Sequence, residues 1–277
     1  MKIKYKIRKL KIKNPFFLAP MEEVNDIAFR LICKKAGAGL TYTGLLNPQN
    51  PNKIDLKDKP GLQIFCNSTK KIKEFIKKYD KKVSLWDFNL GCPSRLAKKH
   101  GFGAYLTDLD IIEDILKEMR QSTKKPVTVK IRKSPIAFDV LKIAEKYCDA
   151  IAVHSRTKEQ GYSGEPNLDF ALKIKKATKL PVIYSGNVNE ENAHELLKKF
   201  DFVMIGREAM GHPEIFAKLT GNKKFKRSYK DYSKLAVKYN LPFRQLKFQA
   251  MNFTKGLEGS KQMRGQLYQA KDEKELS

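Results

Sequence analysis

The chain has too few cysteines and histidines, spread too widely, for a cross-linked or metal-held scaffold. Its 277 residues contain four of each, and no two cysteines form a Cys-x-x-Cys pair. The cysteines are Cys33, Cys66, Cys92 and Cys148. This spacing predicts neither a disulfide framework nor a zinc site. We therefore expect a reduced, cytoplasmic environment and no metal.

Long apolar runs are also missing. Nowhere do about 18 uncharged apolar residues follow one another, the length that a membrane-spanning helix needs. The basic N-terminus has no apolar stretch of signal-peptide length. Membrane insertion and secretion are therefore not expected. The 41% of hydrophobic residues still suffices for a sizeable core, which predicts one large globular domain, alone or with a small one.

Acidic residues are scarce relative to basic ones. The chain has 30 acidic and 56 basic residues and a net charge of +26. Positions 1–14 hold seven basic and no acidic residues, and positions 222–277 hold 14 basic and five acidic, so the two ends carry 16 of the excess charges. Such ends favour RNA or DNA as the partner through phosphate contacts. General lysine enrichment is the alternative, and nothing calls for an obligatory protein partner.

Short apolar runs bounded by turn residues predict eight strands, at 15–19, 39–43, 61–65, 84–89, 127–132, 150–154, 182–185 and 202–205. Helical spacing of apolar residues lies between or after them, at 27–35, 69–79, 110–120, 138–147, 168–176, 190–199 and 213–219. Eight such repeats in about 220 residues predict an α/β fold of the (β/α)8 TIM-barrel type. Residues 1–13 alternate basic and apolar, which predicts a one-sided strand over the closed end of the barrel.

A doubly wound sheet is the competing architecture. It would place a Gly-x-Gly-x-x-Gly turn after the first strand. The chain instead has Ala19-Pro20-Met21-Glu22-Glu23 there. The barrel is therefore favoured.

Polar and charged residues stand where the predicted strands end. A (β/α)8 barrel builds its active site at these C-terminal ends. Each residue alone has a structural explanation, such as a hydrogen-bonded core histidine for His154, but together they indicate a site. The set is Pro20, Met21, Thr43, Gln63, Asn89, Cys92, Lys130, Arg132, His154, Arg156, Ser185, Gly186, Asn187, Gly206 and Arg207.

The last two strands each end at a glycine, Gly186 and Gly206. Loops at this position of a (β/α)8 barrel commonly hold a phosphate on backbone N–H groups. Arg207 can add a charge-assisted contact. A phosphate-bearing cofactor or substrate is therefore predicted.

One cysteine stands on a constrained turn. The strand that reaches residue 88 is followed by Asn89-Leu-Gly-Cys-Pro93. Gly91 permits a sharp turn, and Pro93 fixes φ and removes a backbone donor. Cys92 is then either a small buried hydrophobe or a functional thiol at the mouth of the barrel.

These motifs carry a resemblance. In these motifs, which extend over about residues 14–216, the chain resembles the tRNA dihydrouridine synthases. A weaker match follows at Phe243-Arg244, Lys255-Gly256 and Met263-Arg264. The matching segments are Leu18-Ala-Pro-Met21 with Asp26 and Phe29-Arg30, Asn89-Leu-Gly-Cys-Pro93, Val129-Lys-Ile-Arg132, Val153-His-Ser-Arg-Thr157, Gly161-Tyr-Ser-Gly164, Ser185-Gly-Asn187 and Val203-Met-Ile-Gly-Arg207.

The resemblance implies an FMN-binding catalytic TIM barrel over residues 1–220 and a basic helical tRNA-binding domain over residues 221–277. It implies reduction of the C5=C6 bond of uridines in tRNA, with FMN as cofactor, NADPH as reductant and Cys92 as the general acid that protonates C5. The uracil would be held by Asn89, Arg132 and Tyr162. FMN would be held by Ala19, Pro20, Met21, Gln63, Lys130, His154, Ser185, Gly186, Asn187, Gly206 and Arg207.

The chain departs from the family pattern in several places. Glu22 and Glu23 replace the small residues usual after Ala-Pro-Met, and two carboxylates near a flavin and RNA are unfavourable unless they turn away. Ser185-Gly-Asn187 stands where Asn-Gly-Asp is frequent, and Cys66-Asn67 stands where a glycine-containing turn is common. The tail of about 50 residues is also short for the helical domain that the resemblance implies.

Two other functions remain open at this point. An FMN-dependent TIM barrel acting on a free pyrimidine, of the dihydroorotate dehydrogenase type, also places a cysteine or serine beside an asparagine-rich loop. A non-catalytic RNA-binding barrel would need the basic tail but not the thiol, the lysine and the histidine. The segment His154-Ser-Arg-Thr157 and the basic tail argue against the first. The presence of Cys92, Lys130 and His154 argues against the second.

Overall fold

Eight parallel strands close into a barrel in the computed structural model, which describes residues 5–276. The strand order around the barrel is β10-β3-β4-β5-β6-β7-β8-β9. The predicted (β/α)8 architecture is therefore confirmed. The strands, including a two-stranded hairpin before the barrel, are β1 Tyr5–Ile7, β2 Leu10–Ile12, β3 Phe16–Leu18, β4 Leu40–Leu46, β5 Gly61–Ile64, β6 Leu85–Leu90, β7 Val127–Arg132, β8 Ala150–His154, β9 Val182–Ser185 and β10 Phe202–Ile205.

The segment before the barrel is a hairpin and not the single strand that we predicted. β1 and β2 pair antiparallel through a turn at Arg8 and Lys9, and Ile7 and Ile12 are buried against the residues that fill the bottom of the barrel. The alternating pattern correctly indicates one apolar face. The reversal was missed because the turn lacks the glycine or asparagine of common two-residue hairpins, and Arg8 itself takes a φ of 51°. Residues 1–4 of the predicted strand lie outside the described residues.

The helices follow the strands as predicted, with one short addition before α4. They are α1 Ile27–Ala36, α2 Ile72–Tyr79, α3 Arg95–His100, α4 Leu109–Ser122, α5 Ala137–Tyr147, α6 Leu168–Ala177, α7 Ala193–Leu197, α8 Glu214–Thr220, α9 Tyr229–Lys238, α10 Phe243–Phe253 and α11 Ser260–Gln269. Asp26 and Asp108 cap α1 and α4 through their side chains. α7 begins three residues later than predicted, because Asn189 and Asn192 bond each other in a turn.

Of the three helices after the barrel, α9 packs against α1, α10 is bonded to the loop before α1, and α11 packs against α10. Asp26 connects the two parts: its Oδ1 accepts from the backbone N–H of Phe29, and its Oδ2 accepts from Tyr232, Gln245 and Gln249. Gln249 is completely buried. This loop leads from β3 to α1, so the tail is bonded to one of the loops at the barrel mouth. The division into domains at residue 220 stays a prediction.

Within residues 5–276, no helix is long and apolar enough to cross a membrane. The same residues contain no group of three or more histidine, cysteine or acidic side chains placed to hold a metal ion.

Candidate active site

A cavity of about 450 Å³ opens at the C-terminal ends of the barrel strands. The residues assigned above to FMN and to the uracil come from seven strands and their loops, and all of them except Gln63 line this cavity. The lining ones are Ala19, Pro20, Met21, Asn89, Cys92, Lys130, Arg132, His154, Tyr162, Ser185, Gly186, Asn187, Gly206 and Arg207. Two other strand-end residues, Thr43 and Arg156, do not line the cavity. Gln63 is completely buried and accepts from Asn89 Nδ2, and its contact with FMN stays a prediction.

The Cys92 turn is held by the asparagine three residues before it. Asn89 Oδ1 accepts from the backbone N–H of Gly91 at 3.0 Å and from that of Cys92 at 2.9 Å. Gly103 packs on the other side of the turn: its φ is 57°, and a Cβ there would lie 2.8 Å from the Cys92 carbonyl oxygen. The turn is therefore fixed on both sides, in keeping with the constraint read from Gly91 and Pro93.

Cys92 is half-buried and differs in this from Cys33, Cys66 and Cys148, which are buried. Its Sγ lies 3.3 Å from the hydroxyl of Ser94, which also caps α3 by accepting from the N–H of Ala97. Burial raises the pKa of each of the other three thiols. Cys92 is thus the cysteine whose thiol reaches the cavity.

Two basic side chains from neighbouring strands share the cavity with Cys92. Burial lowers the pKa of Lys130 to about 8, and the Arg132 cation acts in the same direction. Burial also lowers the pKa of His154 to about 2, and the cations of Lys130 and Arg132 add to the effect. His154 is 8% exposed, and its Nδ1 has no hydrogen-bond partner among the described residues. The cavity therefore combines a neutral imidazole with a concentration of positive charge.

The low pKa of His154 predicts a pH-dependent stability. The unfolded chain binds a proton at His154 below about pH 6.5, whereas the folded flavin-free protein does not, so acid favours unfolding. Between pH 7 and pH 5 we expect this residue to lower the free energy of unfolding by about 2 kcal/mol. The measurement is urea unfolding of the flavin-free wild type and of His154→Gln. The variant should lose this part of the pH dependence, and an identical pH dependence would contradict the prediction.

A polar group at the ends of β8, β9 and β10 is a candidate anion site and consists of Arg156, Asn187 and Arg207. The guanidinium of Arg156 and that of Arg207 both donate to Asn187 Oδ1, at 2.9 and 2.8 Å. Burial lowers the pKa of Arg156, and so does the nearby Arg207. Arg156 Nη1 is buried without a partner among the described residues. Two adjacent guanidinium groups with an unused buried donor fit a phosphate.

The backbone of Gly186 and Asn187 lies at the cavity wall beside this site. Gly186 has a φ of 135°, where a side chain would be strained, and a Cβ there would lie 3.0 Å from Pro166. Asn187 is in the left-handed region with a φ of 46°. The phosphate-binding role predicted for Gly186, Asn187 and Arg207 therefore has a suitable framework. Arg156 was noted as a strand-end residue but not assigned to the cofactor, and its unpaired donor is visible only in three dimensions.

Arg132 connects the Cys92 turn to the loop after β8. Its Nε donates to the Gly91 carbonyl at 2.6 Å, and its Nη1 donates to the carbonyls of Thr157 and Gly161. Its guanidinium also lies 5.4 Å from the centre of the Tyr162 ring, as does that of Arg207. Tyr162 is 58% exposed. An exposed aromatic ring beside two cations is a surface on which a nucleobase can stack.

The two glutamates after Ala-Pro-Met behave differently. Glu23 turns to the tail and forms an ion pair with Arg244 at 2.6 Å, while its carbonyl accepts from Gln245. Glu22 lines the cavity, and its pKa is raised by partial burial and by the neighbouring Glu23 charge. The expectation that the carboxylates turn away thus holds for Glu23 and not for Glu22.

Comparison with known proteins identifies this arrangement. A family model described as dihydrouridine synthase (Dus) matches residues 17–276. The tRNA-dihydrouridine synthase B of Vibrio cholerae is 31% identical over 236 residues, covering 77% of this chain and 73% of that protein. The corresponding protein of Pasteurella multocida is 28% identical over 233 residues, covering 76% and 70%.

Solved structures show the same fold at low sequence identity. A morphinone reductase N189A mutant in complex with tetrahydroNAD is 9% identical, with a TM-score of 0.58, and covers 82% of this chain and 92% of that chain. A variant of NCR from Zymomonas mobilis is 13% identical, with a TM-score of 0.54, and covers 83% and 96%. These likenesses support the barrel. Because the family model spans nearly the whole chain and fits its motifs, the chain belongs to the dihydrouridine synthase family.

Proposed function

We propose that this protein is a tRNA-dihydrouridine synthase that reduces the C5=C6 bond of uridines in tRNA, with FMN as cofactor and NADPH as reductant. The observation that carries the proposal is the position of Cys92: its accessible thiol shares one cavity with Lys130, the neutral His154, and Asn187 and Arg207 of the anion site. A proton donor, a place for a flavin ring and a place for a phosphate are thereby combined at one barrel mouth.

The residues present fit FMN. Arg156, Arg207 and the backbone around Gly186 would hold its phosphate, and Lys130 and His154 would lie along its ring. When reduced, FMN would supply the hydride for C6 of uracil. An ammonium group near the flavin stabilises negative charge on the reduced ring. The unpaired Nδ1 of His154 and Nη1 of Arg156 are two donors or acceptors that FMN would satisfy.

Cys92 would give its proton to C5 of uracil. Cysteine is one of the side chains that serve as general acids in enzymes. The S–H bond breaks as the C5–H bond forms, and the thiolate that remains takes a proton from water. Ser94, 3.3 Å from Sγ, would direct the thiol in this step.

The uracil would lie between Asn89 and the ring of Tyr162. Asn89 lines the cavity beside Cys92, and Tyr162 is exposed at its rim. Arg132 is engaged with three backbone carbonyls, so it would act on the base chiefly through its charge and by holding the Cys92 turn. A uridine that enters this cavity must leave its stack in the tRNA, at a cost of roughly a few kcal/mol.

The basic tail would offset that cost by binding phosphates. Two of its cations, Lys255 and Arg264, lie close enough that burial and the Arg264 charge together lower the pKa of Lys255. Neither takes part in an ion pair described within residues 5–276. Two neighbouring cations without a carboxylate form a suitable contact for the RNA backbone.

This contact can be tested by neutralising both charges. We expect Lys255→Gln with Arg264→Gln to weaken tRNA binding by at least about tenfold and to reduce the salt dependence of log K by about 2. The matched control neutralises Lys73 and Lys77, two exposed lysines of α2. Equal losses in both double variants would show that the tail cations act only through net charge. Deleting the tail would be less informative, since Gln245 and Gln249 also hold the loop beside the cavity.

The choice of substrate tests the proposal against its nearest rival. The flavin-loaded protein is supplied with NADPH and either an unmodified tRNA transcript, free uridine or orotate, and NADPH oxidation is followed under anaerobic conditions. We expect sustained oxidation only with tRNA. Sustained oxidation with a free pyrimidine would favour an enzyme of the dihydroorotate dehydrogenase type instead.

A further inference from the structure

A carboxylate that takes no part in the proposed chemistry lies beneath the Cys92 turn. Asp87, in the middle of β6, is 1% exposed. It pairs in register with Gln63 of β5 and with Thr128 of β7. Asn89 lies two residues further along β6, and since side chains alternate in a strand, Asp87 and Asn89 point to the same side, the barrel interior.

The side chains of Asp87, Gln63 and Asn89 form a chain of hydrogen bonds. Gln63 Nε2 donates to one oxygen of Asp87 at 2.5 Å, and the Thr128 hydroxyl donates to the other. Asn89 Nδ2 donates to Gln63 Oε1 at 2.7 Å. At its far end the chain reaches the turn, where Asn89 Oδ1 accepts from the backbone N–H groups of Gly91 and Cys92.

The direction of this chain follows from its first member. An ionised carboxylate only accepts, so Gln63 must turn its NH2 group to Asp87 and its oxygen to Asn89. Asn89 must then turn its NH2 group to Gln63 and its oxygen to the turn. The backbone N–H groups of Gly91 and Cys92 in that turn need an acceptor. The Asp87 carboxylate at one end of the hydrogen-bond chain and the N–H groups of the turn at the other therefore favour the same orientation of the Asn89 amide. One N–H of Asn89 remains at the cavity wall.

We propose that Asp87 is a positioning residue that, through Gln63, fixes the amide of Asn89 so that Asn89 holds the Cys92 turn and presents an N–H to a carbonyl oxygen of the substrate base. This inference rests on the proposed function. The inference extends the proposed function by distinguishing Asn89, which would touch the base, from Gln63 and Asp87, which orient Asn89.

The surroundings of Asp87 favour its ionised form at neutral pH. Burial raises its pKa to about 6, whereas the bonds from Thr128 and Gln63 and the charge of Lys130 act in the opposite direction. Tyr42 and Cys148 are the other titratable groups near Asp87, and burial raises the pKa of both. They remain neutral, so Lys130 is the charge that faces Asp87. The carboxylate is therefore available as an acceptor under the conditions in which the enzyme works.

The sharpest test moves the carboxylate from position 87 to position 63, the next member of the hydrogen-bond chain. Asp87→Asn can offer Gln63 either an oxygen or an NH2 group, and the direction is lost. In the double variant Asp87→Asn with Gln63→Glu, the new carboxylate at position 63 accepts from both of its neighbours, and Asn89 is fixed again. Both changes preserve shape. Thr128→Ser is the control, because it alters a neighbour of Asp87 but keeps the hydroxyl that donates to the carboxylate.

Two readouts are needed. For uridine reduction, we expect Asp87→Asn to lower kcat about tenfold, the worth of one oriented hydrogen bond, with KM for tRNA within about twofold, and the double variant to recover most of the loss. In the flavin-free protein, NMR should show faster hydrogen exchange at the amides of Gly91 and Cys92 in Asp87→Asn, with protection restored in the double variant. Thr128→Ser should change neither.

Unchanged exchange in Asp87→Asn, or a double variant no better than the single one, would overturn the inference. If the double variant does not fold, Gln63→Met, which breaks the chain at its centre, must give the same loss of amide protection, and normal protection there would also overturn it. Failure of the wild type to reduce uridine would instead defeat the proposed function, because the exchange measurement needs neither flavin nor RNA.

Discussion

Replacing Cys92 with alanine is expected to lower the rate of uridine reduction by about 10²- to 10⁴-fold, the usual worth of a general acid. The cavity wall changes by one atom, and neither the anion site nor the tail contacts Sγ. FMN and tRNA should therefore bind as in the wild type. Cys92→Ser should be almost as impaired, because a hydroxyl is a much weaker acid than a thiol.

The experiment compares single-turnover reduction of a tRNA transcript by Cys92→Ala, Cys92→Ser and the wild type, each saturated with flavin. Cys148→Ala is the matched control, since Cys148 is buried away from the cavity. Near-normal turnover of Cys92→Ala would remove Cys92 from the mechanism. Loss of activity in Cys148→Ala of the same size would show that the effect is structural.

Replacing Arg156 with methionine is expected to weaken FMN binding by about 10- to 10²-fold. A charge-assisted hydrogen bond to a buried anion is worth roughly 1.5–3 kcal/mol, and Arg156 Nη1 is a buried donor with no other partner among the described residues. The FMN affinity of Arg156→Lys should lie between those of the wild type and Arg156→Met, because lysine keeps the charge but lacks the planar fork of the guanidinium group.

Flavin fluorescence during titration of the flavin-free protein measures this affinity. Arg120→Met is the control: Arg120 is also partly buried and pairs with Asp149 at 2.8 Å, but its other partners are the carbonyls of Thr123 and Lys125, at the N-terminal end of β7. If Arg156→Met and Arg120→Met bind FMN equally well, the phosphate does not lie at Arg156. FMN would then have to be held by a different group of residues.

The barrel could be predicted from the sequence because its strands are short apolar runs with sharp boundaries. The strands at 127–132, 150–154, 182–185 and 202–205 have the predicted bounds, and proline, glycine or an acidic residue stands next to most of their ends. The hairpin before the barrel could not be predicted, because Arg8 reverses the chain without a typical turn residue.

The candidate site could largely be predicted for a related reason. Polar residues at the ends of apolar strands must meet at one mouth once the barrel closes. Asp87 was missed because it lies inside an apolar strand, where one charged residue does not disturb the pattern. The bonds from Gln245 and Gln249 to the loop beside the cavity were missed because they join residues more than 200 positions apart.

The central claim is that Cys92 protonates a uridine of tRNA that receives a hydride in the same cavity. Its most direct test is mass spectrometry of nucleosides and mapped fragments from an unmodified tRNA transcript after incubation with protein, FMN and NADPH. We predict a gain of two daltons at a defined uridine with the wild type and almost none with flavin-loaded Cys92→Ala. No gain with the flavin-loaded wild type, or an equal gain with Cys92→Ala, would contradict the claim.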